Sequence, residues 1–105
     1  MYKLVFFVPT GDAERVKDAI FETGAGGIGA YDHCSFETEG TGQFRPLAGS
    51  NPHLGSTGSV ERVRELRVEI LCTGEQIRPA LEALRRAHPY EVPAYEVYPL
   101  AKGFM

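Results

Sequence analysis

The chain has 105 residues, with 14 acidic against 11 basic side chains and a formal net charge of −3. A chain of that size buries roughly 60 to 70 per cent of its unfolded surface, enough for one sheet covered by helices and not for two cores. An ordinary apolar fraction argues against disorder, and the slight acidic excess argues against a polyanion-binding surface, so neither nucleic acid nor a membrane is the expected partner. The apolar run Leu4-Val5-Phe6-Phe7-Val8 is closed by Pro9 and is too short for the core of a signal peptide. Cys34 and Cys72 form no CxxC pair, so the expectation is one cytoplasmic domain over residues 1–105 with reduced thiols.

Residues 2–8 alternate, with Tyr2, Leu4, Phe6 and Val8 on one side and Val5 and Phe7 on the other, which predicts a central strand apolar on both faces. Residues 12–23 carry Ala13, Val16, Ala19 and Ile20 at helical spacing, with acids in the first turn and Gly24 as a left-handed stop. After a glycine-rich turn, residues 31–39 read as a second strand and residues 63–72 as a third. In that third strand Leu66, Val68 and Ile70 face one way and Glu65, Arg67 and Glu69 the other. Ile77, Ala80, Leu81, Leu84 and Ala87 mark a second helix, starting near Gln76 so that Pro79 falls in its first turn. Proline disfavours the helical region for the residue before it, so His88-Pro89 ends this helix, and residues 95–99 form a last short strand.

The order β-α-β, insertion, β-α-β predicts an α+β, ferredoxin-like fold: an antiparallel sheet with both helices on one face. The other face then leaves Val5 and Phe7 among Arg67, Glu69 and other polar neighbours, where water would reach them unless another subunit, or the insertion itself, covered the sheet. The insertion, residues 40–60, contains five glycines and two prolines and shows no period of 2 or 3.6. Such a stretch reads as a functional lid, a segment ordered by a neighbour, or plain mobility, with Phe44 and Leu54 as possible anchors. Gly24-Ala25-Gly26-Gly27-Ile28-Gly29 contains GxGxxG, but it closes a helix instead of opening one, so it reads as a helix stop and tight turn, not a dinucleotide site.

The groups able to hold a metal are His33, Cys34, His53, Cys72, His88 and Glu91, at spacings unlike those of a structural zinc site. In a regular strand His33 and Cys34 would face opposite ways, leaving Cys34 beside Phe36 as a small buried group and His33 as a candidate ligand. His88 and Glu91 flank a rigid proline turn that can pre-position an imidazole and a carboxylate for a metal or for proton transfer. The plainer reading has His88 capping helix carbonyls and Glu91 paired with Arg85 or Arg86. No GxSxG, HExxH, Walker loop or paired catalytic carboxylate is present, so no catalytic residue is assigned.

Two stretches carry a family resemblance. Gly26-Gly27-Ile28-Gly29-Ala30-Tyr31-Asp32-His33-Cys34-Ser35-Phe36, continued through Gly40-Thr41-Gly42-Gln43-Phe44-Arg45-Pro46 and Gly55-Ser56-Thr57-Gly58, resembles the domain inserted in bacterial NIF-three-like (YqfO) proteins. His88-Pro89-Tyr90-Glu91-Val92-Pro93-Ala94-Tyr95 is similar to the closing motif of that insert and of the CutA proteins. The resemblance implies a PII/CutA-like fold that commonly trimerises. The dinuclear metal site of the parent proteins lies in flanking domains outside the matched stretch, so a hydrolase or cyclohydrolase activity does not follow. CutA proteins are associated with divalent cations, but only the motif from His88 to Pro93 matches theirs.

The sequence thus favours a non-catalytic, homo-oligomeric sensing or interaction module, a trimer by resemblance, whose insertion is ordered by a protein or small-ligand partner. The alternative is a divalent-metal-binding protein or metal-dependent enzyme centred on His88 and Glu91, with His33 or His53 completing the ligand set.

Overall fold

The computed structural model describes residues 1–102, so the last three residues of the expected domain lie outside the described part. Strand β1 (Tyr2–Pro9) leads through a 3-10 turn (Thr10–Asp12) into helix α1 (Ala13–Phe21). Then follow β2 (Phe36–Phe44), β3 (Glu61–Cys72), helix α2 (Ile77–Ala87) and β4 (Tyr95–Pro99). The sheet is antiparallel in the order β2-β3-β1-β4, the ferredoxin-like arrangement expected from the sequence. Leu4, Phe6 and Val8 of β1 and Leu66, Val68, Ile70 and Cys72 of β3 form one core with Val16, Ile20, Ala80 and Leu84 of the helices.

Both helices end where their chemistry requires. Gly24 sits at φ +94° past the end of α1, and its N–H donates to Phe21 O at 3.0 Å. Gly26, at φ +83°, is the glycine no other residue replaces: a Cβ there would meet Cys34 O and the Phe21 ring at 2.9 Å. Its N–H donates to Leu71 O at 2.9 Å, so the GxGxxG segment ties the end of α1 to β3. At α2 the Gln76 side chain accepts from Thr73 N–H at 3.0 Å, one half of a capping box, and its amide donates to Gly24 O at 3.0 Å. His88 is extended, with ψ 136°, as the following proline demands.

Three expectations are corrected. Strand β2 begins at Phe36, not at residue 31, because the chain first makes a tight Ile28–Tyr31 bridge and then a left-handed turn at His33, φ 56°. Cys34 therefore lies in that turn and not on a strand face with Phe36. Residues 40–44, expected to be irregular, continue β2 and pair with β3, Gly40 opposite Glu65 and Phe44 opposite Glu61. This lengthened β2–β3 ribbon runs beyond the helices, so Arg62 and Arg64 are exposed on the side that carries Leu66 and Val68. Val5 is fully buried within this one chain. It lies between Glu69 and Glu96 in register, and those carboxylates are held across it, Glu69 by Lys3 at 3.1 Å and Arg67 at 3.5 Å, Glu96 by the Tyr98 hydroxyl at 2.5 Å. The stems of these long side chains cover the valine while their heads reach water.

Candidate functional site

The residues from His88 to Ala94 wrap the end of β1. Phe7 donates its N–H to Ala94 O at 3.2 Å, and its carbonyl meets His88 Nε2 at 2.7 Å. His88 Nδ1 accepts the Tyr90 N–H at 3.1 Å. A carbonyl on one ring nitrogen and an amide N–H on the other fix a neutral imidazole protonated at Nε2. The residue is only 6% exposed, and burial holds its pKa below the ordinary histidine value, with the Phe7 carbonyl opposing that fall. His88 is thus a tether between α2, the turn and β1, and in this arrangement both of its nitrogens are engaged by backbone.

Glu91 makes no ion pair with Arg85 or Arg86 among the described residues; its Oε2 accepts the Asn51 N–H at 2.7 Å, which latches the insertion onto the turn. His33 stands near the other end of β1, its ring tilted 45° against that of Phe21 with centroids 4.8 Å apart, and 3.2 Å from Asp32 Oδ1. The structure therefore does not bring His33 to His88 and Glu91, and no group of three His, Cys, Asp or Glu side chains suited to a metal ion occurs among the described residues. Cys34 and Cys72 are both free thiols, and burial pushes that of Cys72 up to about 11.

Between the insertion and the turn lies a groove of about 500 Å³ on the open side of the sheet. Its floor is Phe7, Gly42 and Glu65, one wall is Phe44, Pro52 and Leu54, and the other is Tyr90 and Val92. Gly42 leaves room for Glu65, because a Cβ at that position would collide with the carboxylate. Tyr90 is the hub of the aromatic wall, 5.7 Å from Phe44 in an edge-on arrangement, 6.3 Å from His53 and 5.0 Å from His88. Its hydroxyl is buried with no hydrogen-bond partner among the described residues. Burial, then the nearby Glu65 carboxylate, hold the phenol proton well above its ordinary pKa. Sequence reasoning singles out Phe44, Leu54 and His53, and Gly42 as a glycine suited to close backbone approach, but not Glu65 or the role of Tyr90.

The chain is similar, along nearly its whole length, to one segment of larger bacterial proteins. It is 46% identical over 101 residues to the GTP cyclohydrolase 1 type 2 homolog of Halalkalibacterium halodurans, covering 96% of this chain and 27% of that protein. The Mycobacterium tuberculosis protein of the same name is 48% identical over 98 residues, covering 93% of this chain and 26% of the relative. The chain thus spans about a quarter of the length of the curated relatives it matches. The crystal structure of a Bacillus cereus protein related to NIF3 superposes with a TM-score of 0.81 at 44% identity, over 96% of this chain and 26% of that one. CutA1 from Pyrococcus horikoshii superposes with a TM-score of 0.69 at 16% identity over 98% of this chain and 86% of that one, a likeness of fold alone. No family model matches the chain. The resemblance to a segment of NIF-three-like proteins and to the CutA fold is borne out by these matches.

Proposed function

We propose that this chain, homologous to one segment of the NIF3-like proteins, is a single-domain, non-catalytic, oligomeric sensing or interaction module that receives its ligand in the groove between the insertion and the turn after α2. The observation that carries the reading is the Asn51 to Glu91 latch at 2.7 Å across a groove of about 500 Å³. The walls come from stretches of chain that are remote in sequence, so a ligand seated between them couples the insertion to the turn and to β1. Ordering a loop on binding is how a small domain converts occupancy into a changed surface.

The assembly part rests on what the chain leaves uncovered. On the open side of the sheet, Phe36 is 67% exposed on edge strand β2 and Tyr98 43% exposed on edge strand β4. Edge strands with exposed aromatic side chains invite contact with another copy, and the resemblance to PII/CutA-like proteins favours three copies. Size exclusion with light scattering tests this: the expected mass is three times 11.5 kDa, and a monomer at micromolar concentration rejects the assembly.

A further inference from the structure

Two polar groups in the groove have unmet demands. The Tyr90 hydroxyl, buried, has no partner within strict hydrogen-bond distance among the described residues; the nearby Glu65 carboxylate is the acceptor its proton faces, and the lone pairs of the phenol oxygen are left without a donor. Beside it Glu65 forms no ion pair with any base among the described residues, and the next base on the same face of its strand, Arg67, turns to Glu69 at 3.5 Å. A carboxylate and a phenol oxygen, set among the rings of Phe7, Phe44 and Tyr90, match one kind of ligand head: a positive charge that donates hydrogen bonds and tolerates aromatic faces. The chain already seats such a group on this side of the sheet, since the Arg67 guanidinium lies 5.8 Å from the centre of the Phe7 ring. The remaining lining combines apolar Leu54, Pro52 and Val92 with polar Thr41, Gln43 and Ser50, and the volume of about 500 Å³ falls in the range of small-molecule sites, about 300 to 1,000 Å³.

We propose that the groove binds an organic cation, an ammonium or guanidinium group whose charge meets Glu65 and the Tyr90 oxygen and whose alkyl part lies against Phe44 and Leu54. This rests on the reading of the groove as the receiving surface and deepens it by naming the ligand chemistry. Anions are disfavoured there by Glu65 and Glu91, and neutral alkyl ligands leave both polar groups unmet.

The test titrates the full chain with butylguanidinium, butyrate and 1-butanol, following the backbone amides of Phe44, Asn51, Leu54 and Tyr90 by NMR. The expected result is saturable shifts with butylguanidinium only, a loss of affinity of about tenfold or more in Glu65→Gln, and a loss of roughly threefold to tenfold in Tyr90→Phe. Should Glu65→Gln fail to fold, Gly42→Ala replaces it, because its Cβ displaces the same carboxylate and is expected to weaken binding likewise. A Gly-Arg-Gly peptide forms a second arm: tighter binding of the peptide assigns the cation to a protein side chain, tighter binding of butylguanidinium to a free small molecule. Equal binding of butanol, no shift with the cation at millimolar concentration, or unchanged affinity in both groove variants overturns the proposal. Light scattering on the same samples separates the two readings: an assembly that binds no cation rejects the ligand chemistry alone, and a monomer that binds it rejects the assembly alone.

Discussion

The molecule has two halves built on different physics. In the helix-covered half, β1 and the second part of β3 bury Leu4, Phe6, Val8, Val68, Ile70 and Cys72 against α1 and α2. In the other half, the first part of β3 pairs with β2 beyond the helices, and residues 45–60 fold back to the turn after α2 through one backbone-to-carboxylate hydrogen bond and the lining of a groove. The first half owes its stability to excluded water, the second to ladder hydrogen bonds and a few aromatic edges. A region held by few apolar contacts opens at low cost and is the region able to respond to a ligand.

The sharpest way to break that contrast is a pair of aromatic truncations. Phe6→Ala, in the core, is expected to cost about 3 to 5 kcal/mol in urea unfolding, whereas Phe44→Ala, at the groove wall, is expected to cost about 1 kcal/mol or less globally while speeding amide exchange over residues 45–60. Equal losses in the two variants would show that the halves fold as one cooperative unit of uniform stability.

His88 ties the end of α2 and the turn that lines the groove to β1. Its replacement by alanine leaves the Phe7 carbonyl and the Tyr90 N–H without their partner and opens a cavity, an expected loss of about 2 to 4 kcal/mol, measured by the same unfolding experiment. A loss below half a kcal/mol would mean that the tether is dispensable.

The same residue gives the fold an acid limit. Because burial lowers the folded-state pKa of His88 from its ordinary 6.5, the unfolded chain binds the proton more readily, and stability rises with pH wherever the unfolded state holds more protons. The contribution of the neutral imidazole is complete above pH 6.5 and is lost as pH falls from there through the depressed folded value. Thermal unfolding of wild type against His88→Ala should show this step in the former and not in the latter; parallel pH profiles contradict it.

The smallest expected effect lies in the latch. Glu91→Gln keeps an acceptor but removes the charge, and is expected to cost under about 1 kcal/mol, with faster exchange at the Asn51 amide and little change at Phe6. If Asn51 remains protected, the insertion is held by its apolar contacts instead.

The fold was legible wherever one face of an element is apolar. Alternation in residues 2–8 and 63–72 and the 3.6 spacing of Ala13, Val16 and Ile20 or of Ala80 and Leu84 follow from burial, which leaves its period in the sequence. The extension of β2 through Gly40 and Gly42 left no such trace, because its side chains are largely exposed and its pairing is made by backbone. His33 was misplaced for a related reason: a left-handed turn at a non-glycine residue has no strong local signature. The site was half legible. His88-Pro89 marked a forced change of direction, and Phe44 and Leu54 marked the apolar wall. That His88 would meet Phe7, 81 positions away, and that Glu91 would take Asn51 instead of Arg85 or Arg86, could not be read from spacing.

What the amino-acid order determined alone is therefore the kind of layer each segment can join, since hydrophobic period and proline sterics act within a few residues. What only the tertiary structure decided is the groove: a carboxylate with no ion-pair partner among the described residues, a buried phenol and a latched loop become neighbours because antiparallel pairing sets Phe7 of β1 beside Arg67, with Glu65 of β3 close by, and the turn after α2 lines the same groove. Electrostatic and hydrogen-bond demands depend on distance in space, and the chain carries no local record of them.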